Sequence, residues 1–495
     1  VENNNNTVQT LWVALGKFSS FALGLISAMV LSRYFTKSDY GTYRQILYVY
    51  STLLVIFSAG LPLVFDYFLP RYNVAQGKEI VFKVSKVLFL TGLAFSVFLF
   101  TFSGLIAKVL KNPELSTGLK YFSPIPLLLL PTMGIEGIFS SYRKTIYIAI
   151  YNTLSRTLIL IFIVLPVVFF KGTYLTAIYG WIIVSIITLG IAVYFKGIPF
   201  RKVASEKSNL NFVKILKYSM PLVLASIAGI AIKAADQFYI SRFFGREVFA
   251  EFANGFIEIP FVTMITGATA IVLMPLFSKI VNDKTDMNKL VSLWQNALNK
   301  SVILIYPMVV FFLFNSKDIM TFLYSATYSG ASKFFSTAMT VNFFNVIVFS
   351  PLLLSLGKTR FYARIHIIFA FLIWIGEYFI VKIFNDPLSI AIFSVFIQVC
   401  IIMISLSYVS RITGISIIKL FPLGRLIIIA FHSIFTIAVV KLVMNFVLPG
   451  LSPFQYLSLT GSGYLSLLLL TARWFDINYL EIIIPIFKRS NSQTN

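Results

Sequence analysis

Apolar and polar positions along this chain are segregated into long blocks. Mostly apolar runs of about 18 residues or more recur from end to end, each long enough at about 1.5 Å per residue to cross a hydrocarbon layer of roughly 30 Å. Fourteen such runs are expected to be membrane helices: 10–32, 44–69, 85–107, 121–141, 146–170, 174–195, 218–241, 250–277, 295–314, 331–356, 361–384, 388–409, 422–446 and 453–474. The connections average about a dozen residues, too short for an extramembrane domain. The longest polar connection runs from Lys196 to Lys217, near the middle of the chain. It contains Arg201-Lys202-Val203-Ala204-Ser205-Glu206-Lys207-Ser208-Asn209, which reads as a linker between two halves.

The two halves repeat one another. Ser32-Arg33-Tyr34-Phe35, followed by a basic residue and Tyr40-Gly41-Thr42-Tyr43, aligns with Ser241-Arg242-Phe243-Phe244 and Phe249-Ala250-Glu251-Phe252. Lys144-Thr145 with Ala149 aligns in nearly the same frame with Lys358-Thr359 and Ala363. Six spans separate equivalent positions, so the repeats share one orientation and imply a pseudo-twofold axis along the membrane normal. The expected fold is an all-α polytopic membrane protein with two parallel six-helix bundles, 10–196 and 218–409, around a central cavity. A cytoplasmic linker, 197–217, joins them, and helices 13 and 14, within 410–475, form an appended pair.

Composition agrees with a lipid environment, since 58% of residues are hydrophobic and only 12% charged, against roughly 25% charged in soluble domains. The formal charge of +23 would suggest nucleic acid in a soluble protein. Here it follows from topology: with a cytoplasmic N-terminus, about 25 of the basic residues fall in cytoplasmic segments, about 12 in outer ones and about 4 inside spans. Both termini are then cytoplasmic, and no nucleic acid is needed. The first outer loop, with Arg33, Lys37 and Arg44, is a local exception. Arg33 and Arg242, at repeat-equivalent span ends, read as interfacial anchors.

Several chemistries are excluded. Cys400 is the single cysteine, and His366 and His432, the two histidines, stand far apart, so neither a disulfide framework nor a zinc motif is present. Gly357-Lys358-Thr359 lacks the earlier glycine of a phosphate-binding loop, Leu352 standing in its place. No cofactor is expected. The first ten residues carry no Lys or Arg and so lack the basic start of a cleaved signal peptide.

At the repeat motifs the chain resembles a known family. Leu31-Ser32-Arg33-Tyr34-Phe35 with Asp39-Tyr40-Gly41-Thr42-Tyr43, and Ala235-Asp236-Gln237-Phe238-Tyr239-Ile240-Ser241-Arg242-Phe243-Phe244-Gly245, are similar to segments of bacterial polysaccharide-repeat-unit flippases. These are the O-antigen, or Wzx, type of the multidrug/oligosaccharidyl-lipid/polysaccharide exporter superfamily. The pattern covers roughly residues 10–475. Two departures stand out. Wzx-type members usually have twelve helices, fourteen being familiar from the superfamily's peptidoglycan-precursor flippases, and Phe249-Ala250-Glu251-Phe252 replaces a usual Gly-x-Tyr. The resemblance implies transport of a polyprenyl-diphosphate-linked oligosaccharide for surface polysaccharide such as O-antigen of lipopolysaccharide.

Ionisable groups inside a span cost at least about 2.5–3.5 kcal/mol unless they meet a wet cavity or a partner, so they are the candidate site. Lys17, Arg156, Lys233 and Arg364 are the cations expected to line the cavity and bind the two phosphates. Lys17 and Lys233 fall on equivalent faces two turns apart in the repeat, about 10 Å in depth. Against this, Lys17 lies near its span end and could snorkel to the headgroups, and Lys233 could neutralise Asp236 three residues on. Glu136, Asp236, Glu258, Glu377 and Asp66 are candidates for coupling to H+ or Na+. Glu136 stands out because Pro124, Pro126, Pro131, Gly134 and Gly137 should break its helix and free carbonyls; pairing with Arg156 is its other reading.

The leading expectation is a secondary transporter without enzymatic activity, in the bacterial cytoplasmic membrane. A drug/cation antiporter of the same superfamily would favour a more acidic cavity. A membrane glycosyltransferase or polymerase would need a larger outer loop than any connection here provides.

Overall fold

The computed structural model describes residues 2–282, 287–346, 350–447 and 450–479, and among these every regular element is a helix. Among the described residues ten helices are long and apolar enough to cross a membrane, and an eleventh span arises if Ser226–Gly255 and Pro260–Ala270, bent by 49°, count as one. The chain is a multi-pass membrane protein. Its contacts divide it into two compact units, Val1–Ala250 and Glu251–Asn495, a division placed differently from the repeat-based limits 10–196 and 218–409.

In the first unit, α1 (Glu2–Tyr34) packs along α8 (Ile146–Ile159). The repeat motif after α1 is a helix start: Thr36 caps α2 (Lys37–Ser58) by accepting the Asp39 N–H at 3.0 Å, and its hydroxyl donates to the Asp39 carboxylate. After α3 (Pro62–Phe68), Asn73 caps the long α4 (Val74–Val109) in the same manner.

The proline-rich fourth span is broken as its sequence demands. It consists of α5 (Glu114–Phe122), α6 (Pro124–Leu129), a 3-10 turn at Leu130–Thr132 and α7 (Ile135–Ser141). Gly134 starts α7 at φ +85°, where a β-carbon would fall 2.2 Å from the Phe65 ring, so only glycine fits. Downstream, Pro166 lacks the N–H that the Phe162 carbonyl would accept, and the helix widens to a π turn at Leu160–Val164 before α9 (Leu165–Phe170).

The expected linker is not loose. After α10 (Tyr174–Gly197) the chain is strapped along the first turns of α4: Lys78 donates to the Val203 carbonyl at 2.8 Å, the Glu206 N–H to the Ala75 carbonyl, and Ser208 to Glu79. Phe200 and Leu210 plug a core with Ile80 and Val84. Next comes α11 (Phe212–Gly255), which runs past the expected end at 241 and breaks helical geometry at Gly245.

Near that break, α11 is clasped by buried polar groups. Gln45 donates to Ser241 at 2.6 Å, and Asn112 donates to Gln45 at 2.6 Å and to Thr42 at 3.0 Å. Tyr48 donates to the Ala234 carbonyl at 3.1 Å, and Arg246 forms an ion pair with Glu114.

The second unit contains α12 (Pro260–Asn282), α13 (Met287–Phe314), α14 (Ser316–Tyr324), α15 (Ala331–Thr340), α16 (Ser350–Ser355), α17 (Thr359–Phe384), α18 (Pro387–Thr413), α19 (Ile417–Leu420), α20 (Leu423–Val447) and α21 (Pro453–Thr471). The expected continuous span 331–356 is instead α15, a 3-10 turn at Val341–Phe343 and α16, with 347–349 outside the described residues. The appended pair is packed in firmly. α20 lies on α13, α21 lies on α14 and α20, and the fully buried His432 joins Tyr479 at 2.8 Å and Thr471 at 2.7 Å.

Candidate functional site

Three side chains singled out in the sequence, Lys17, Glu136 and Arg156, meet in one place. A cavity of about 400 Å³ in the first unit is lined by Lys17, Ser20 and Phe21 of α1, Glu136 of α7, and Asn152 and Arg156 of α8. Helical spacing explains the grouping. Lys17, Ser20 and Phe21 share one face of α1, and Asn152 and Arg156 stand one turn apart on α8. The two helices are pinned by a 2.6 Å hydrogen bond between Ser19 and Thr153. Glu136 enters from the first turn of α7, turned into place by Gly134.

Inside the cavity, Asn152 Nδ2 donates to Glu136 Oε1 at 3.1 Å, and Arg156 Nε donates to Ser20 Oγ at 3.0 Å. The pairing of Glu136 with Arg156 weighed from the sequence is absent among the described residues, because each group takes a neutral partner. Lys17, Glu136 and Arg156 are all exposed, so none of the three charges is sealed inside the protein. With Glu136 ionised the lining carries a net positive charge. It offers a guanidinium and an ammonium to an anion, with an amide and a hydroxyl beside them.

The other candidates are distributed differently. Asp66 is exposed on α3, which packs on α7; its carboxylate lies 3.0 Å from where a β-carbon of Gly137 would be, next to Glu136 in the chain. Lys233 is exposed on α11 and does not line this cavity, while Asp236, one turn on, is buried. In the second unit, Glu258 is exposed in the bend between α11 and α12, Arg364 is exposed near the start of α17, and Glu377 of α17 is fully buried.

Two basic residues have roles that the sequence did not suggest. Lys196, grouped with the linker cations, is buried at 6% exposure; its ammonium donates to the Pro131 carbonyl at 2.7 Å and to Ser85 Oγ at 3.1 Å. Arg242, read as an interfacial anchor, donates to the Val109 carbonyl at the end of α4, where a cation is favoured. Ser20 and Phe21 were also missed, although their spacing from Lys17 was the available signal.

A family model described as polysaccharide biosynthesis protein matches residues 7–281, which include every residue lining the cavity. The chain belongs to this family. Among solved structures, the polysaccharide biosynthesis family chain is similar to the lipid II flippase MurJ in its inward closed conformation, with a TM-score of 0.71, 17% identity, and 94% of this chain and 99% of that chain covered. It is also similar to an inward-facing multidrug resistance MATE family transporter of the MOP superfamily, with a TM-score of 0.65, 11% identity, and 80% and 94% covered. A MOP superfamily transporter from Pyrococcus furiosus, described by the reverse polarity of its binding pocket, gives 0.56, 13% identity, and 82% and 95%. At these identities the likeness establishes the fold. Among curated proteins, none matches the sequence significantly.

Proposed function

We propose that the protein is a secondary transporter, not an enzyme, that moves polyprenyl-diphosphate-linked oligosaccharide repeat units across the bacterial cytoplasmic membrane for surface polysaccharide biosynthesis. The observation that carries this reading is the meeting of Lys17 and Arg156 in one cavity, in a chain of the polysaccharide biosynthesis family. A diphosphate crossing a membrane must exchange its hydration for fixed donors. A guanidinium presents a planar fork to phosphate oxygens and an ammonium a mobile point charge, so together they offset two negative charges. Ser20 holds the Arg156 fork by its Nε, leaving the terminal nitrogens for the ligand. The lipid tail stays in the bilayer while headgroup and sugars use the cavity.

Glu136, with Asp66 beside it, is the coupling group on this reading, exchanging H+ or Na+ as the cavity changes exposure. The bundles 10–196 and 218–409 rock about the linker 197–217, with both termini cytoplasmic, and Lys233 and Arg364 contribute further cations. Asp236, Glu258 and Glu377 are secondary coupling candidates. The decisive experiment is complementation of a deletion strain. Lys17→Ala and Arg156→Ala are expected to accumulate in the membrane at normal levels and to leave surface polysaccharide absent. Full complementation by both overturns the reading.

The acidic pair favours one rival, a drug/cation antiporter, since carboxylates and not cations would bind its substrate. That rival predicts increased drug susceptibility on deletion and intact surface polysaccharide.

A further inference from the structure

Lys196 is a buried cation with no carboxylate partner among the described residues, and its surroundings explain how it is tolerated. Its ammonium is held by the Pro131 carbonyl at 2.7 Å and Ser85 Oγ at 3.1 Å, and lies 5.4 Å from the centroid of the Phe65 ring. In an unbroken helix the Pro131 carbonyl would accept the N–H of residue 135. Here the chain turns at Gly134 and, among the described residues, no backbone N–H reaches that carbonyl. An orphan carbonyl inside a span costs as much as a lost hydrogen bond.

We propose that Lys196 is a tethered monovalent cation, filling a site built from the freed Pro131 carbonyl, the Ser85 hydroxyl and the Phe65 ring face, and thereby positioning Glu136 of the cavity and Asp66 on the neighbouring α3. A carbonyl, a hydroxyl and an aromatic face are the donor set that holds a small ammonium ion. The same Phe65 ring packs against the Gly134 turn, Asp66 follows Phe65 in the chain, and Glu136 lies two residues after Gly134. The site thus fixes both the break that leads to Glu136 and the α3 ring that precedes Asp66. The helix break, expected to free its carbonyls, has its Pro131 oxygen occupied by the protein's own amine.

The site does not depend on what is transported, and its test needs no transport. Full-length protein in detergent is heated in ammonium, methylammonium, sodium or choline chloride at equal ionic strength. Wild type is expected to melt at one Tm in all four. Lys196→Ala is expected to melt lower in choline, and to recover by roughly 3 °C in ammonium or methylammonium, which enter the vacated site and bind only the folded state. A Lys196→Ala protein with wild-type Tm, or with a lowered Tm equal in all four salts, overturns the proposal. Ser85→Ala, which keeps the amine, covers the case in which the lysine variant does not accumulate. Amide exchange at 133–138 is expected to quicken in Ser85→Ala, and exchange at the wild-type rate overturns the proposal.

Discussion

A β-carbon added to Gly41 would stand 2.1 Å from the carbonyl oxygen of Arg246. The backbones of α2 and α11 therefore touch where the repeat motif of the first half meets the chain beyond the Gly245 break. Ala250 is the repeat equivalent of Gly41, and the contact that demands glycine belongs to position 41.

Gly41→Ala is expected to destabilise the protein by about 1–3 kcal/mol, since the Arg246 carbonyl is backbone and cannot rotate away. Gly24→Ala is the control. Nothing lies within 4 Å of its β-carbon position, so its Tm in detergent is expected to match wild type while that of Gly41→Ala falls. Equal Tm values for the two would show that the α2–α11 contact yields easily.

Much of this was legible in the sequence because lipid makes charges conspicuous. Lys17, Glu136 and Arg156 interrupt apolar runs, and the cavity that joins them is built by helical spacing. Lys196 was not legible. It sits at a span end beside Arg201 and Lys202, where topology alone accounts for lysines, and its partners Ser85, Pro131 and Phe65 are remote in sequence. The break in the fourth span announced itself through Pro131 and Gly134. The break at Val341–Phe343 did not, since that stretch holds neither proline nor glycine.

Arg156 separates charge from geometry. Arg156→Lys keeps a cation but loses the Nε bond to Ser20, so transport of lipid-linked substrate into proteoliposomes is expected to fall about 10-fold, the loss of one oriented contact. Arg156→Gln removes the charge and is expected to fall further. Ser20→Ala should track Arg156→Lys. If Arg156→Gln transports as well as Arg156→Lys, the cavity does not use that charge.

Glu136 provides a test of coupling. Glu136→Gln can still accept the Asn152 N–H, so the local fold and Tm are expected to be unchanged. It cannot ionise. Transport by this variant is expected to lose its response to an imposed proton or sodium gradient while retaining downhill movement of substrate. A wild-type response to both gradients would move the coupling group elsewhere, to Asp66 first.

The clasp on α11 bears on which helices move together. By the repeat, α11 belongs to the second bundle; by contacts, its residues up to Ala250 belong to the first unit. If the bundles rock apart at this end during transport, the Gln45–Ser241 and Asn112–Gln45 bonds must break in every cycle. Exposing such buried groups to water replaces their bonds at a net cost of only about 0.5–1.5 kcal/mol each, which suits a reversible closure better than an apolar seam. The chain's single cysteine, Cys400, is easily removed. In a Cys400→Ser background, Gln45→Cys with Ser241→Cys, bridged by a short reducible bifunctional thiol reagent, is expected to arrest transport, and reduction is expected to restore it. Transport that continues in the bridged protein would show that α2 and α11 stay clasped throughout, so that the contact boundary at Ala250, and not the linker at 197–217, separates the moving parts.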